Sequence, residues 1–242
     1  RAENAWTWAV PTPNPTSINN DEGRQPGSGN LGAGQQEPID WSTGNASTKD
    51  RATKKRMAAV YLYAATGSAT YKTAFESDYN NADLKNYSDP FREMENTSLL
   101  YYTTLNGVTP EVATNINTWF KNGMNGGADN WTAMTGVATT STKDPYLAHL
   151  KDYTWGSNGV KSAKGSMFMD LIEFNVSGFD NAAAKNAALT YVNYLHGVNP
   201  QGMVYLSNMY SLGVHSSVNE FYHTWFTEGS SLWDRYGVAT YG

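Results

Sequence analysis

RATKKRMAAVYLYAATGSATYKTAF, residues 51–75, decides the fold. Met57, Ala58, Tyr61, Leu62 and Ala65 recur at three- and four-residue spacing, which gathers apolar side chains on one helix face. Gly67 closes the run in the position of a C-terminal cap, where a left-handed backbone is unstrained only for glycine. Ser68 follows as an N-cap for a second helix, in which Tyr71 and Phe75 sit four apart. Two helices joined by so short a junction run back alongside each other, so the stretch predicts a helical hairpin.

The same grammar repeats on the C-terminal side. Glu95 to Asn106 carries Leu99, Tyr102 and Leu105 and stops at Gly107. Thr109-Pro110-Glu111 is a helix start, with a capping hydroxyl, proline in the first turn and an acid at the positive end. Val112, Ile116, Trp119 and Phe120 follow on one face, and Gly123 is expected to end the run. Asp144-Pro145 predicts a short helix through Leu150. Val160, Ala163, Lys164, Met167, Phe168, Leu171 and Ile172 form the next stripe, with Ser157 or Asn158 as its cap. Asp180 caps a last helix whose apolar face holds Ala184, Ala187, Ala188, Tyr191 and Leu195, before Gly197.

On the N-terminal side, residues 1–9 read as the last turns of a helix, so the chain is expected to open inside a larger fold. Residues 11–50 are rich in Pro, Gly, Asn and Gln without a sustained period, the composition of a functional loop or a linker. No stretch shows the alternation of a half-buried strand with a tight turn. The fold class is therefore all-α. Beyond Gly197 the tail has little helical period but many aromatics, among them Tyr205, Tyr210, Tyr222, Trp225, Trp233 and Tyr236. A helical scaffold carrying aromatic loops suits a binding site.

Composition narrows the function. The net charge is −5 and Lys and Arg form no cluster with interleaved aromatics, which argues against nucleic acid as a partner. No apolar run approaches the roughly 18 to 20 residues of a membrane span. Cysteine is absent, which removes disulfides and thiolate chemistry. Aromatic residues make up 13% of the chain, enough to fill a core and still line a groove for a flat ligand such as a sugar chain. No metal motif is present, so no cofactor is expected, and no motif supports a structural calcium ion. Asn45, Asn86, Asn96, Asn130 and Asn175 each begin an Asn-x-Ser/Thr pattern, which so Asn- and Thr-rich a chain produces by chance.

Two segments could carry chemistry. Tyr153-Thr154-Trp155-Gly156-Ser157-Asn158-Gly159 lies where a short helix gives way to a long one, which puts Trp155 at a helix mouth. There an indole either packs over helix ends or covers the apolar face of a pyranose. In Tyr222-His223-Thr224-Trp225, His223 either ties down its loop or hydrogen-bonds a ligand hydroxyl. Glu220, Glu228 and Asp234 flank this tail, but sequence does not pair them into the two carboxyl groups that glycoside hydrolysis needs.

Three stretches resemble family-nine glycoside hydrolases, the cellulases. AAVYLYAATGSATY at 58–71 is similar to a helix-turn-helix junction of that family. Tyr153 to Gly159 is similar to its Trp-Gly-Ser segment, and YVNYLHGVNP at 191–200 to its tyrosine-rich helix ending in Gly-x-Asn-Pro. The resemblance implies an (α/α)6 barrel, of which residues 1–242 form a part lacking the N-terminal helices and the extreme C-terminal segment. It implies an inverting β-1,4-glucanase, secreted and acting on cellulose or a cello-oligosaccharide, with the remainder of its own catalytic domain as partner. Trp155, Tyr222, His223 and Trp225 are then substrate-binding, with Trp225 standing where the family's His-x-Arg pattern has arginine. The family's Asp-Ala-Gly-Asp motif is not in this sequence, so the catalytic aspartates and acid glutamate are expected outside it. A non-catalytic carbohydrate-binding protein, or another (α/α)6 enzyme such as a polysaccharide lyase, are the competing readings.

Overall fold

The structure is a computed structural model that describes residues 1–11, 39–40, 45–46, 48–86, 88, 90–126, 130–135, 144–151, 156–207 and 209–218. Among the described residues helices dominate, and the fold is all-α apart from two short strand pairings. It divides into two compact units, residues 1–88 with 94–120, and residues 89–93 with 121–242.

The first unit contains α1 (Ala2–Ala9), α2 (Thr48–Thr66), α3 (Ala69–Glu76), α4 (Glu93–Thr103) from Met94 onward, and the first turns of α5 (Pro110–Asn125). The α2–α3 junction forms as the sequence predicts. Gly67 has φ +67° and donates its N–H to the Tyr63 carbonyl, while Ser68 Oγ accepts from Thr70 N. Phe75 then buries completely against Tyr102, ring centroids 4.3 Å apart, and Val60, Leu99 and Leu100 of the same unit are buried too. Each such side chain contributes roughly 1.5–3 kcal/mol by leaving water. Trp6 of α1 meets Tyr71 edge to face at 5.4 Å, and the Tyr71 hydroxyl donates to Glu3.

Polar side chains lock the apolar contacts together. Glu76, at the end of α3, accepts from the Tyr102 hydroxyl and from Thr109 N, so one carboxylate joins α3, α4 and the start of α5. Burial raises its pKa, but the bonds from Thr109 and Tyr102 and the charge of Lys72 outweigh it and leave the group below its usual value. Burial and the same carboxylate push the Tyr102 hydroxyl up. Gly123 does not end α5, which runs to Asn125. Buried Met124 extends the stripe of Val112, Ile116 and Phe120, and this burial outweighs the roughly 1 kcal/mol that a helical glycine costs.

The second unit is built on the hairpin of α7 (Ser157–Glu173) and α8 (Asn181–Leu195), with the short α6 (Trp131–Thr135) beside α8. Alpha-7 ends in a Schellman turn: Asn175 has φ +51°, its N–H reaches Ile172 O and that of Val176 reaches Leu171 O. Asp180 caps α8 as predicted, accepting from Ala183 N at 2.7 Å. Asp180→Ala should cost about 1 kcal/mol, read as a lower urea midpoint at unchanged slope.

Other local expectations fail as well. On α2 the expected face of Met57, Ala58, Tyr61, Leu62 and Ala65 is not the buried one: Ala58, Tyr61 and Ala65 are exposed, and Ala59, Val60 and Tyr63 are buried with Leu62. Asp144–Leu150 is not a helix. Asp144 Oδ1 takes the N–H of Tyr146, an Asx turn that competes with helix initiation, and Leu147 then adopts φ +54°. Alpha-7 is not capped by Ser157 or Asn158, which lie in its first turn. Its N-cap is Gly156 at φ +78°, whose carbonyl accepts from Gly159 and Val160. In the aromatic tail, β3 (Val204–Ser207) pairs in parallel with β4 (Ser217–Val218), following the two-residue β1 (Ile39–Asp40) and β2 (Asn45–Ala46). Asn96 and Asn130 are buried at 1% and 6% exposure, which excludes a glycan at either.

Candidate functional site

The α7–α8 hairpin is antiparallel and close. Lys161 lies against Tyr194, and a Cβ on Gly165 would stand 3.3 Å from Tyr191 Cβ. The start of α7 therefore shares one end of the hairpin with the turn Gly197-Val198-Asn199-Pro200 that leaves α8. These are the two places where the sequence locates its candidate segments.

That end holds a charged and aromatic cluster. Lys161, fully buried, sets its Nζ 4.0 Å from the Tyr194 ring centroid, 3.9 Å from Asp144 Oδ2, and in hydrogen bond to the Ala148 carbonyl. Tyr146 meets Tyr194 in an edge-to-face contact at 6.3 Å, and Tyr205 lies tilted against Tyr194 at 6.1 Å. The Tyr191 hydroxyl donates to His149 O at 2.7 Å. Side chains from α7 and α8 thus hold the consecutive carbonyls of Ala148 and His149.

Across the same end, Asn199 fixes the turn. Its Nδ2 donates to the carbonyls of Tyr194 and Met203, and its Oδ1 accepts from Gln201 N and Met203 N. The turn delivers β3, whose Leu206 carbonyl accepts from the buried Ser217 hydroxyl of β4. Among the described residues no group of three or more acidic or histidine side chains could hold a metal ion. A cavity of about 420 Å³ runs along the hairpin between Met169 and Glu173 on one side and Tyr191, Val192 and Leu195 on the other.

Burial lowers the Lys161 pKa to about 8, with Asp144 opposing the shift and Lys164 adding to it. Below pH 8 the ammonium is present in folded and unfolded chains alike, and its burial cost is felt in full. Between pH 8 and the ordinary value of 10.5 the folded chain carries a neutral amine while the unfolded chain stays protonated. Stability should therefore rise with pH across that window, by about 2 kcal/mol relative to Lys161→Met, as measured by urea unfolding. An equal pH slope in both proteins would contradict it.

Trp155, Tyr222, His223 and Trp225 all lie outside the described residues, as do Glu220, Glu228 and Asp234. The structure describes instead the anchors on either side: Ala148 to Leu150 and Gly156 around the first, residues 199–207 and 209–218 before the others. Sequence reasoning missed Lys161 and Asp144, because only a fold brings residues 17 positions apart into an Asx turn and a helix start. Asn199 was visible inside the Gly-Val-Asn-Pro stretch.

No curated protein and no solved structure matches the chain. The model of Glycosyl hydrolase family 9 matches residues 1–234. With a match over nearly its whole length, the chain belongs to glycosyl hydrolase family 9.

Proposed function

We propose that this chain supplies sugar-binding cleft residues to an inverting β-1,4-glucanase acting on cellulose or related β-glucans. Family membership makes it part of a glycoside hydrolase with a carbohydrate substrate. The observation that carries the finer reading is the shared hairpin end, where the segment entering α7 and the segment leaving α8 are both anchored by buried polar bonds. Trp155 and Trp225 cover sugar faces, and Tyr222 and His223 bond hydroxyls near the cleaved linkage. Water activated by an aspartate attacks the anomeric carbon while a glutamate protonates the leaving oxygen. Both acids come from the rest of the catalytic domain, which completes an (α/α)6 barrel around the cleft. The protein works outside the cell, and no described helix is long and apolar enough to cross a membrane.

Kinetics test this reading. Residues 1–242 alone should release no reducing sugar from carboxymethyl cellulose. In the complete enzyme, Trp155→Ala should weaken cello-oligosaccharide binding by about 1 to 3 kcal/mol, the scale of other aromatic stacking platforms. His223→Ala should depress kcat more than it raises KM, since its bond strengthens as the sugar distorts. Turnover by the isolated chain that is lost on changing Glu220, Glu228 or Asp234 would instead place a catalytic carboxylate in this chain. Normal kinetics in both variants would favour a packing role for these aromatics.

A further inference from the structure

We propose that Asn106, in the turn between α4 and α5, is the site at which this protein deamidates to aspartate and isoaspartate. The chain has Asn-Gly at 106–107, 122–123, 125–126 and 158–159, and glycine after asparagine leaves the side-chain amide open to attack by the next backbone nitrogen. The fold separates the four by the state of that nitrogen. Gly123 lies inside α5, where its N–H belongs to the helix ladder. Gly126 donates to Asn122 O at 2.6 Å and Gly159 to Gly156 O at 2.9 Å. Gly107 N donates to no acceptor among the described residues, and both Asn106 and Gly107 are exposed.

Gly107 also has φ +75° and no side chain to shield its nitrogen. Tyr63 and Lys72 hold the carbonyls of Asn106 and Gly107 at 2.6 Å each, which leaves the reacting N–H and carboxamide outside the bonded set. In the reaction the Gly107 nitrogen loses its proton and bonds to Asn106 Cγ, the Cγ–Nδ2 bond breaks, and ammonia leaves with that proton. Water then opens the five-membered imide at either carbonyl. One product is aspartate, and the other routes the main chain through an added methylene. Both place a new carboxylate one residue from the carbonyl that Lys72 holds, beside the first turn of α5.

The test is peptide mapping with isoaspartate detection on the full chain, aged at mildly alkaline pH and separately at mildly acidic pH. Asn106 should react about tenfold faster than each of the other three, because freeing a helix-bonded N–H adds about one hydrogen bond's worth of barrier. The rate should rise with pH, since the attacking species is the deprotonated amide. In denaturant the four sites should converge on similar rates, and Asn106→Gln should remove the early product without changing the circular dichroism. Equal rates at all four sites in the folded chain, or first reaction at Asn122, Asn125 or Asn158, would overturn the proposal.

Discussion

Replacing Arg56 with methionine is expected to destabilise the protein by about 3–5 kcal/mol, the scale on which breaking a buried ion pair leaves its partner uncompensated. Arg56 is 1% exposed on α2, and its guanidinium reaches Asp78 at 2.6 Å, Glu95 at 2.9 Å and Thr53 at 3.0 Å. It therefore joins α2 to the turn after α3 and to α4. Glu95 is 2% exposed, and its Oε2 makes no hydrogen bond among the described residues. Without the guanidinium, that carboxylate stays buried without its counter-charge. Asp78 is partly exposed and recovers solvation on its own.

The pair can be separated from the packing of the arginine stem by a second change. Glu95→Gln in the Arg56→Met background should return a large part of the loss, because a neutral amide is far less costly to bury unpaired. Equilibrium urea unfolding of the four proteins gives the coupling directly. A loss below about 1 kcal/mol for Arg56→Met, or no coupling with Glu95, would show that the buried charges contribute nothing net.

Arg56 also marks where the sequence stops being legible. The caps could be read because each has one local cause: glycine at a left-handed position after α2, proline in the first turn of α5, aspartate ahead of α8. Arg56 has two local signals that conflict. Its spacing with Ala59, Val60 and Tyr63 puts it on the stripe that the fold buries, not on the face of Met57, Ala58, Tyr61, Leu62 and Ala65 that the sequence pattern suggests, while its charge argues for the side that holds exposed Lys54 and Lys55. The conflict is settled by Asp78 and Glu95, from other elements. Lys161 poses the same problem at the hairpin end, where Asp144 arrives through an Asx turn that the pattern read as helix. The apolar aromatic tail concealed β3 for a related reason: Val204–Ser207 is too short for its alternation to stand out, and Ser217 pins Leu206 from eleven residues away. The candidate side chains were named from motifs, and all four lie outside the described residues. Of the anchors that flank them, Asn199 stood within a motif, while the contact of Lys161 with Asp144 was the part sequence could not supply.

Asn199→Ala is expected to cost about 3 kcal/mol, because one 5%-exposed side chain makes four bonds to the backbone of its own turn. The Tyr194 carbonyl keeps other donors from the end of α8, but the Met203 carbonyl and the two N–H groups on Gln201 and Met203 would need new partners. Asn199→Asp separates the two halves of this arrangement. It preserves the oxygen that accepts from Gln201 and Met203, and it sets a second oxygen against the carbonyls of Tyr194 and Met203. Aspartate should therefore be at least as damaging as alanine, although it matches asparagine in size and is the better acceptor. The loss should appear as faster amide exchange at 196–207, with the Schellman turn after α7 unaffected, since that turn is capped by its own backbone. If the turn sets the approach of Tyr222 and His223 to substrate, both variants should also lower kcat/KM of the complete enzyme on a soluble cello-oligosaccharide. An aspartate variant as stable as the wild type would show that the two donated bonds to Tyr194 and Met203 are dispensable.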